Sequence, residues 1–122
     1  ALHWHETGTP AALARLLGDA SLGCVWIGEL DGAPIGYLVL CFGYSLEYLG
    51  RDAFVDELFI EPELQGRGLG YQLLAVAEAS CAELGVAALH LEVDHANPRA
   101  KELYARAGFE QHARFLMTKS LR

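Results

Sequence analysis

Residues Asp56 to Gly70, Asp-Glu-Leu-Phe-Ile-Glu-Pro-Glu-Leu-Gln-Gly-Arg-Gly-Leu-Gly, pass from a β-pattern through a turn to a glycine-rich helix start without a spare residue. Residues 53–60 read as a strand, Pro62 blocks its continuation, and an uninterrupted helical run begins at Tyr71. The glycines therefore sit at a helix N-terminus, where unpaired N–H groups and the positive end of the helix dipole hold anions and a missing Cβ lets a phosphate approach. Two familiar anion-binding turns are excluded. A dinucleotide fingerprint needs its third glycine where Tyr71 stands, and a triphosphate-binding loop needs a lysine that follows none of these glycines.

What remains is Gln65-x-x-Gly68-x-Gly70, followed about thirty residues later by the strand-like Ala87 to Val93, then Asn97-Pro98-Arg99-Ala100-Lys101-Glu102-Leu103-Tyr104 and Gly108-Phe109. The first pattern resembles the acetyl-coenzyme A signature of the GNAT superfamily of N-acetyltransferases, and the second resembles that family's Asn-x-x-Ala-x-x-Leu-Tyr and Gly-Phe signature. In order and at that separation, the pair is far more specific than either alone. The resemblance covers residues 24–119 and implies an α/β fold with a mixed, mostly antiparallel central sheet flanked by helices.

It also implies a chemistry: transfer of acetyl from acetyl-CoA to a primary amine by direct attack in a ternary complex, coenzyme A being the product. The backbone of Leu58, Phe59 and Ile60 would pair with the pantetheine arm, and the Leu58 N–H would stabilise the oxyanion, a contribution that can reach about 3 kcal/mol. Gln65, Gly66, Arg67, Gly68, Leu69 and Gly70 would cradle the pyrophosphate, with Tyr71 next to them. Asn97 and Ala100 would meet the pantetheine arm, and the Tyr104 hydroxyl would protonate the departing thiolate. An alkylammonium with a pKa near that of lysine, about 10.4, has no free lone pair at neutral pH, so a proton acceptor is required. Asp56 matches the family's strand acid and is the first candidate base, Glu57 the second. Strict alternation puts Phe54, Asp56, Leu58 and Ile60 on one face and Val55, Glu57 and Phe59 on the other. The alternative is a coenzyme A-binding regulatory or interaction domain without catalysis.

Composition narrows the partners. At 122 residues and 52% hydrophobic, the chain is read as one domain, 1–122, with one core. Its net charge of −7 argues against nucleic acid and suits a small cationic or polyamine-like acceptor. Acidic residues crowd the signature strand: Glu47, Asp52, Asp56, Glu57, Glu61 and Glu63. Cys24, Cys41 and Cys81 are an odd number in apolar segments without zinc-site spacing, which reads as reduced core thiols in a cytoplasmic protein, none of them a covalent intermediate. No apolar run is long enough for a membrane span. His3, His5 and Glu6 are weighed as metal ligands and set aside as terminal side chains, so no metal is expected.

Taken in order, Thr9-Pro10 is an N-cap with proline at the first helical position, opening a short helix whose stripe is Leu13, Leu16 and Leu17. Residues 24–30 form a strand, Asp31-Gly32 a tight turn, and 34–42 an apolar central strand. Residues 43–50 read as a loop at the acceptor cleft, with Tyr44, Glu47 and Tyr48 as acceptor-binding candidates. Gly85 ends the long helix, Asn97 caps the next, Gly108 ends that one, and Phe109 begins a last strand through Phe115, Leu116 and Met117. The family's usual first strand and long helix find no counterpart before Pro10. The open edge at residues 24–30 is therefore expected to pair with a second copy as a homodimer.

Overall fold

A computed structural model describes residues 8–94 and 96–122; His3, His5 and Glu6 lie outside the described residues. The elements are α1 (Gly8–Leu17), β1 (Gly23–Leu30), β2 (Ala33–Ser45), β3 (Gly50–Ile60), a 3-10 turn (Pro62–Leu64), α2 (Leu69–Glu83), β4 (Ala88–His90) and α3 (Pro98–Arg106). The sheet runs β1-β2-β3-β4, antiparallel except for the parallel β3–β4 pair. The expected α/β fold with a mixed, mostly antiparallel sheet is present.

Local chemistry explains most boundaries. Asp31 (φ 52°) and Gly32 (φ 80°) both take positive φ in the two-residue β1–β2 turn. At the end of α2, Gly85 takes φ 75° and the Val86 N–H donates to the Cys81 carbonyl, closing the helix with a left-handed cap. Asn97 caps α3 by accepting from the Ala100 N–H at 3.1 Å, with Pro98 in the first turn. At the start of α1 the helix opens at Gly8, ahead of Thr9, so Thr9 is not its N-cap; Leu13 and Leu17 of its stripe are exposed.

The core lies between one sheet face and α2: Leu38, Leu40, Ala53 and Ile60 meet Leu73, Leu74, Ala77 and Cys81. The central position of β2 is borne out, since the adjacent Leu38 and Val39 point to opposite faces and are both buried. Helix α3 adds Leu103 and Tyr104 to the edge of this cluster, and the turn that follows it adds Ala107 and Phe109.

Further expectations fail. Strict alternation along β3 breaks at Asp56, because Val55 pairs with Leu40 and Glu57 with Val39, leaving Asp56 as the extra residue of a β-bulge. Consequently Ala53, Val55, Leu58 and Ile60 all pack toward the core, a switch of parity that one inserted residue produces. The 43–50 segment is mostly strand: β2 runs to Ser45 and β3 restarts at Gly50, with only residues 46–49 turning. Finally, residues 110–122 form no strand, and Phe115, Leu116 and Met117 are 93%, 71% and 90% exposed. Phe109 is held at the cap of α3, and β4 provides just three residues of ladder on which a further strand could build.

Gly36 faces the end of β3, and a methyl there would run into the Phe59 carbonyl oxygen, a backbone atom that cannot swing aside. Gly36→Ala is expected to lower stability by about 1–3 kcal/mol in urea unfolding. An unchanged midpoint would contradict this close approach.

Candidate active site

The β3–β4 ladder consists of Asp52↔Ala88, Ala53↔Leu89 and Phe54↔His90, and beyond His90 the strands part. From Val55 to Ile60, β3 is paired on the β2 side and open on the other. Which groups face the opening follows from one hydrogen bond. The Glu61 N–H donates to Ile35 on the β2 side, and main-chain groups alternate in direction along a strand. Leu58 and Ile60 therefore direct their N–H and C=O into the gap. The Ile60 carbonyl is taken by the Gln65 side-chain amide at 3.0 Å, which ties the turn to the strand end. Leu58 keeps both main-chain groups toward the opening, and Phe59 directs its own toward β2.

At one end of this gap lies the glycine turn. Gly66 (φ 83°) and Gly68 (φ 78°) both adopt left-handed backbone, which disfavours a side chain at either position. Gly68 precedes α2, and the first helical bond is the Gln72 N–H to the Gly68 carbonyl. The N–H groups of Leu69, Gly70 and Tyr71 thus have no acceptor within the helix. Gly70 instead packs closely, 3.6 Å from Leu103 and 3.8 Å from Ile60 when measured from where its Cβ would be. Three arginines lie near the turn. Arg67 is exposed within it, Arg99 brings Nη2 to 4.0 Å from the Cβ position of Gly66, and the Arg106 guanidinium lies 5.6 Å from the Tyr71 ring centre. Sequence reasoning missed Arg99 and Arg106; the Pro98-Arg99 step at a helix start is the signal that could have pointed to the first.

Tyr104 stands on α3, partly buried against the core cluster. Two features fix it: the Phe109 N–H donates to the Tyr104 carbonyl at 3.0 Å, and the Phe109 ring meets the Tyr104 ring edge-on at 6.0 Å. The Gly108-Phe109 pair is therefore the C-cap that anchors Tyr104, with Gly108 at φ 95°. Burial first, and the Glu57 carboxylate second, push the Tyr104 phenol above its ordinary value. The two candidate acids are divided in position. The charge of Glu57 reaches Tyr104 and Tyr37, whereas that of Asp56 reaches Cys41.

A cleft of about 510 Å³ opens on the Asp56 side, lined among others by Cys41, Tyr44, Asp52, Phe54, Asp56 and Glu92. Of the three acceptor-binding candidates, only Tyr44 is in its wall. Both oxygens of Glu47 are engaged by Arg114, at 2.8 and 3.0 Å, a contact that holds the Glu47 carboxyl below the usual range. Tyr48 packs on His90 with ring centres 5.2 Å apart. Cys41 reaches the wall, contrary to the expectation that the cysteines lie wholly in the core. Its thiol is pushed up by burial, then by Asp56, and burial does the same to Cys24 and Cys81. Protonated thiols are poor nucleophiles, which argues against a covalent intermediate at Cys41. Asp52 and His90 were not singled out as a pair, since nothing in the sequence brings residues 38 positions apart together.

The arrangement suits an extended, anion-tipped molecule: an open strand edge to pair with an amide-bearing arm, and a helix start with three arginines near it for the anion. No helix of the described residues is long and apolar enough to cross a membrane.

Residues 2–109 match the model of the acetyltransferase (GNAT) family. The chain is 30% identical over 103 residues to the uncharacterised N-acetyltransferase YhfO of Bacillus subtilis, covering 84% of this chain and 68% of that protein. It is also 30% identical over 82 residues to the thialysine N-epsilon-acetyltransferase of Bos taurus, covering 66% of this chain and 48% of the bovine one. Among solved structures, an integron cassette protein from the mobile metagenome of Cole Harbour Salt Marsh superimposes with a TM-score of 0.82 at 38% identity, covering 92% of this chain and 68% of that one. A strand edge left open beside a glycine-rich helix start and a family match over most of the sequence lead to one conclusion: this chain belongs to the GNAT family of acetyltransferases.

Proposed function

We propose that the chain transfers acetyl from acetyl-CoA to a primary amine, with a small cationic amine as the preferred acceptor. The observation that carries this reading is the open side of β3, where Leu58 presents its main chain to a gap that runs from the acid-lined cleft to the start of α2. The residues fit the cofactor. Leu58 and Ile60 offer strand-like pairing to a pantetheine arm, and the Leu69, Gly70 and Tyr71 N–H groups with Arg67 and Arg99 offer donors and charge to a pyrophosphate. When bound, acetyl-CoA supplies the acetyl group as a thioester.

The chain's own residues then divide the work. The amine enters through the cleft and gives its proton to Asp56, which the bulge turns out of the strand's regular alternation toward that side. The Leu58 N–H holds the carbonyl oxygen as it gains charge. Tyr104 donates its proton to the leaving thiolate, and Glu57 helps to keep that proton in place. The name of the bovine relative, an enzyme acting on a side-chain amine, supports an amine acceptor. The acidic cleft supports a cationic one.

The folded-state pKa of Tyr104 is raised, so its stabilising contribution is complete below the unfolded value of about 10 and is lost as pH rises through the folded value. Tyr104→Phe is expected to cut kcat roughly a hundredfold or more while leaving acetyl-CoA affinity within about twofold; equal turnover would remove Tyr104 from the mechanism.

The two acids separate by the kind of effect each has. Asp56→Asn is expected to lose turnover on a similar scale, roughly a hundredfold, across the pH range. Glu57→Gln keeps most of the turnover and moves the alkaline limb to lower pH, because one cause of the raised Tyr104 pKa is gone. A roughly hundredfold loss in Glu57→Gln with Asp56→Asn near wild type would reverse the two roles.

A further inference from the structure

The cleft contains a carboxylate for which the proposed reaction has no use. Asp52, on β3, is 8% exposed, and its Oδ2 accepts from His90 Nε2 at 3.1 Å. The His90 ring is itself fixed on two sides, with its centre 4.9 Å from that of Phe54 and 5.2 Å from that of Tyr48. The other oxygen, Oδ1, lies over Gly43, the residue opposite Asp52 in the ladder. A Cβ on Gly43 would stand 2.7 Å from it, so this oxygen has room because position 43 carries no side chain.

Oδ1 has no hydrogen-bond partner among the described residues, and none of their fully buried polar side-chain atoms lacks one. Oδ1 is therefore reached from outside, and Asp52 belongs to the cleft wall. A nine-tenths buried carboxylate, locked through one oxygen and open through the other into a cavity with aromatic walls at Tyr44 and Phe54, has the chemistry of a cation site.

Its position excludes the role of proton acceptor at the point of transfer. Asp52 is four residues from Asp56 and six from Leu58, so on an extended strand it lies on the order of 13 Å from the former and farther from the latter. A group at that distance binds a part of the acceptor that does not react. Resting on the acetyltransferase reading, we infer that Asp52, positioned by His90, binds a second cationic group of the acceptor, so that the acceptor class is a diamine whose nitrogens stand about 10–13 Å apart. The reacting nitrogen sits at Asp56, and the other ammonium donates to Asp52 Oδ1.

The test compares 1,8-diaminooctane, which spans this distance, with nonylamine, which has the same reach and one nitrogen. The wild-type chain is expected to favour the diamine by about tenfold or more in kcat/KM, the scale of one charge-assisted hydrogen bond. Asp52→Asn loses most of that ratio, and so does Gly43→Ala, whose methyl displaces Oδ1 without touching the carboxylate's charge. His90→Gln reduces the ratio through the diamine's KM rather than through kcat, as expected for a positioning residue. A wild-type ratio near one, or a ratio unchanged in Asp52→Asn and Gly43→Ala, overturns the proposal.

Calorimetric titration of the coenzyme A-bound chain with the same two amines makes the comparison without turnover. Diamine binding that depends on Asp52, with no acetylated product from either amine, keeps the Asp52 site and removes the acetyltransferase reading. Acetylation of both amines with equal efficiency does the reverse.

Discussion

The parallel ladder between β3 and β4 holds for three residue pairs and then stops, and the site follows from that stop. While the strands stay paired, Ala53 and Leu89 add to the core beneath α2. Once they part, Leu58 and Ile60 keep main-chain groups that no strand satisfies. An unpaired strand edge is a liability in most proteins because any extended chain can add to it. Here the edge is placed at the mouth of a helix start, so the molecule best able to use it is one with an amide-bearing arm and an anionic end. The bulge at Asp56 belongs to the same device. It lets residues on both sides of it pack toward one core while lifting a single acid out of register at the head of the gap.

Charge is distributed to match. A chain of net charge −7 has nine lysines and arginines against sixteen aspartates and glutamates, yet Arg67, Arg99 and Arg106 gather around the start of α2. The carboxylates Asp52, Asp56 and Glu92 gather in the cleft. On the proposed reading, an anion would be drawn to one end of the gap and a cation to the other, so that the polarity of the transfer would be built into the surface before either molecule binds. Tyr104 is held by a helix cap whose two residues, Gly108 and Phe109, fix both its main chain and its ring.

What the sequence made legible was local. Asp31-Gly32, Gly85, Asn97-Pro98 and Gly108 each announce a turn or a cap through their own backbone preferences, and each stands where expected. The motifs around Gly68 and Tyr104 carried the family because their chemistry is compressed into short spans. What could not be read depended on distant partners. A bulge is a mismatch between two strands, so Asp56 gave no sign of it within β3. The length of β4 depends on where another strand turns away, so residues 91–93 looked as strand-like as 88–90. The apolar run Phe115-Leu116-Met117 suggested a strand, but no described neighbour pairs with it. Arg99 at the glycine turn and His90 beside Asp52 are meetings across the fold, with sequence separations of 33 and 38 residues, and Glu47 looked available until Arg114 closed on it.

The central claim is that the gap beside Leu58 and the start of α2 form one binding site for acetyl-CoA. Calorimetric titration of the purified chain with acetyl-CoA tests it most directly. Binding at one site with a Kd on the order of micromolar, weakened about tenfold or more by Arg99→Ala through loss of a charge-assisted contact, is the predicted result. No detectable binding at millimolar acetyl-CoA by a chain that is otherwise folded would contradict the account, and with it the assignment of roles to Leu58, Gly68 and Tyr104.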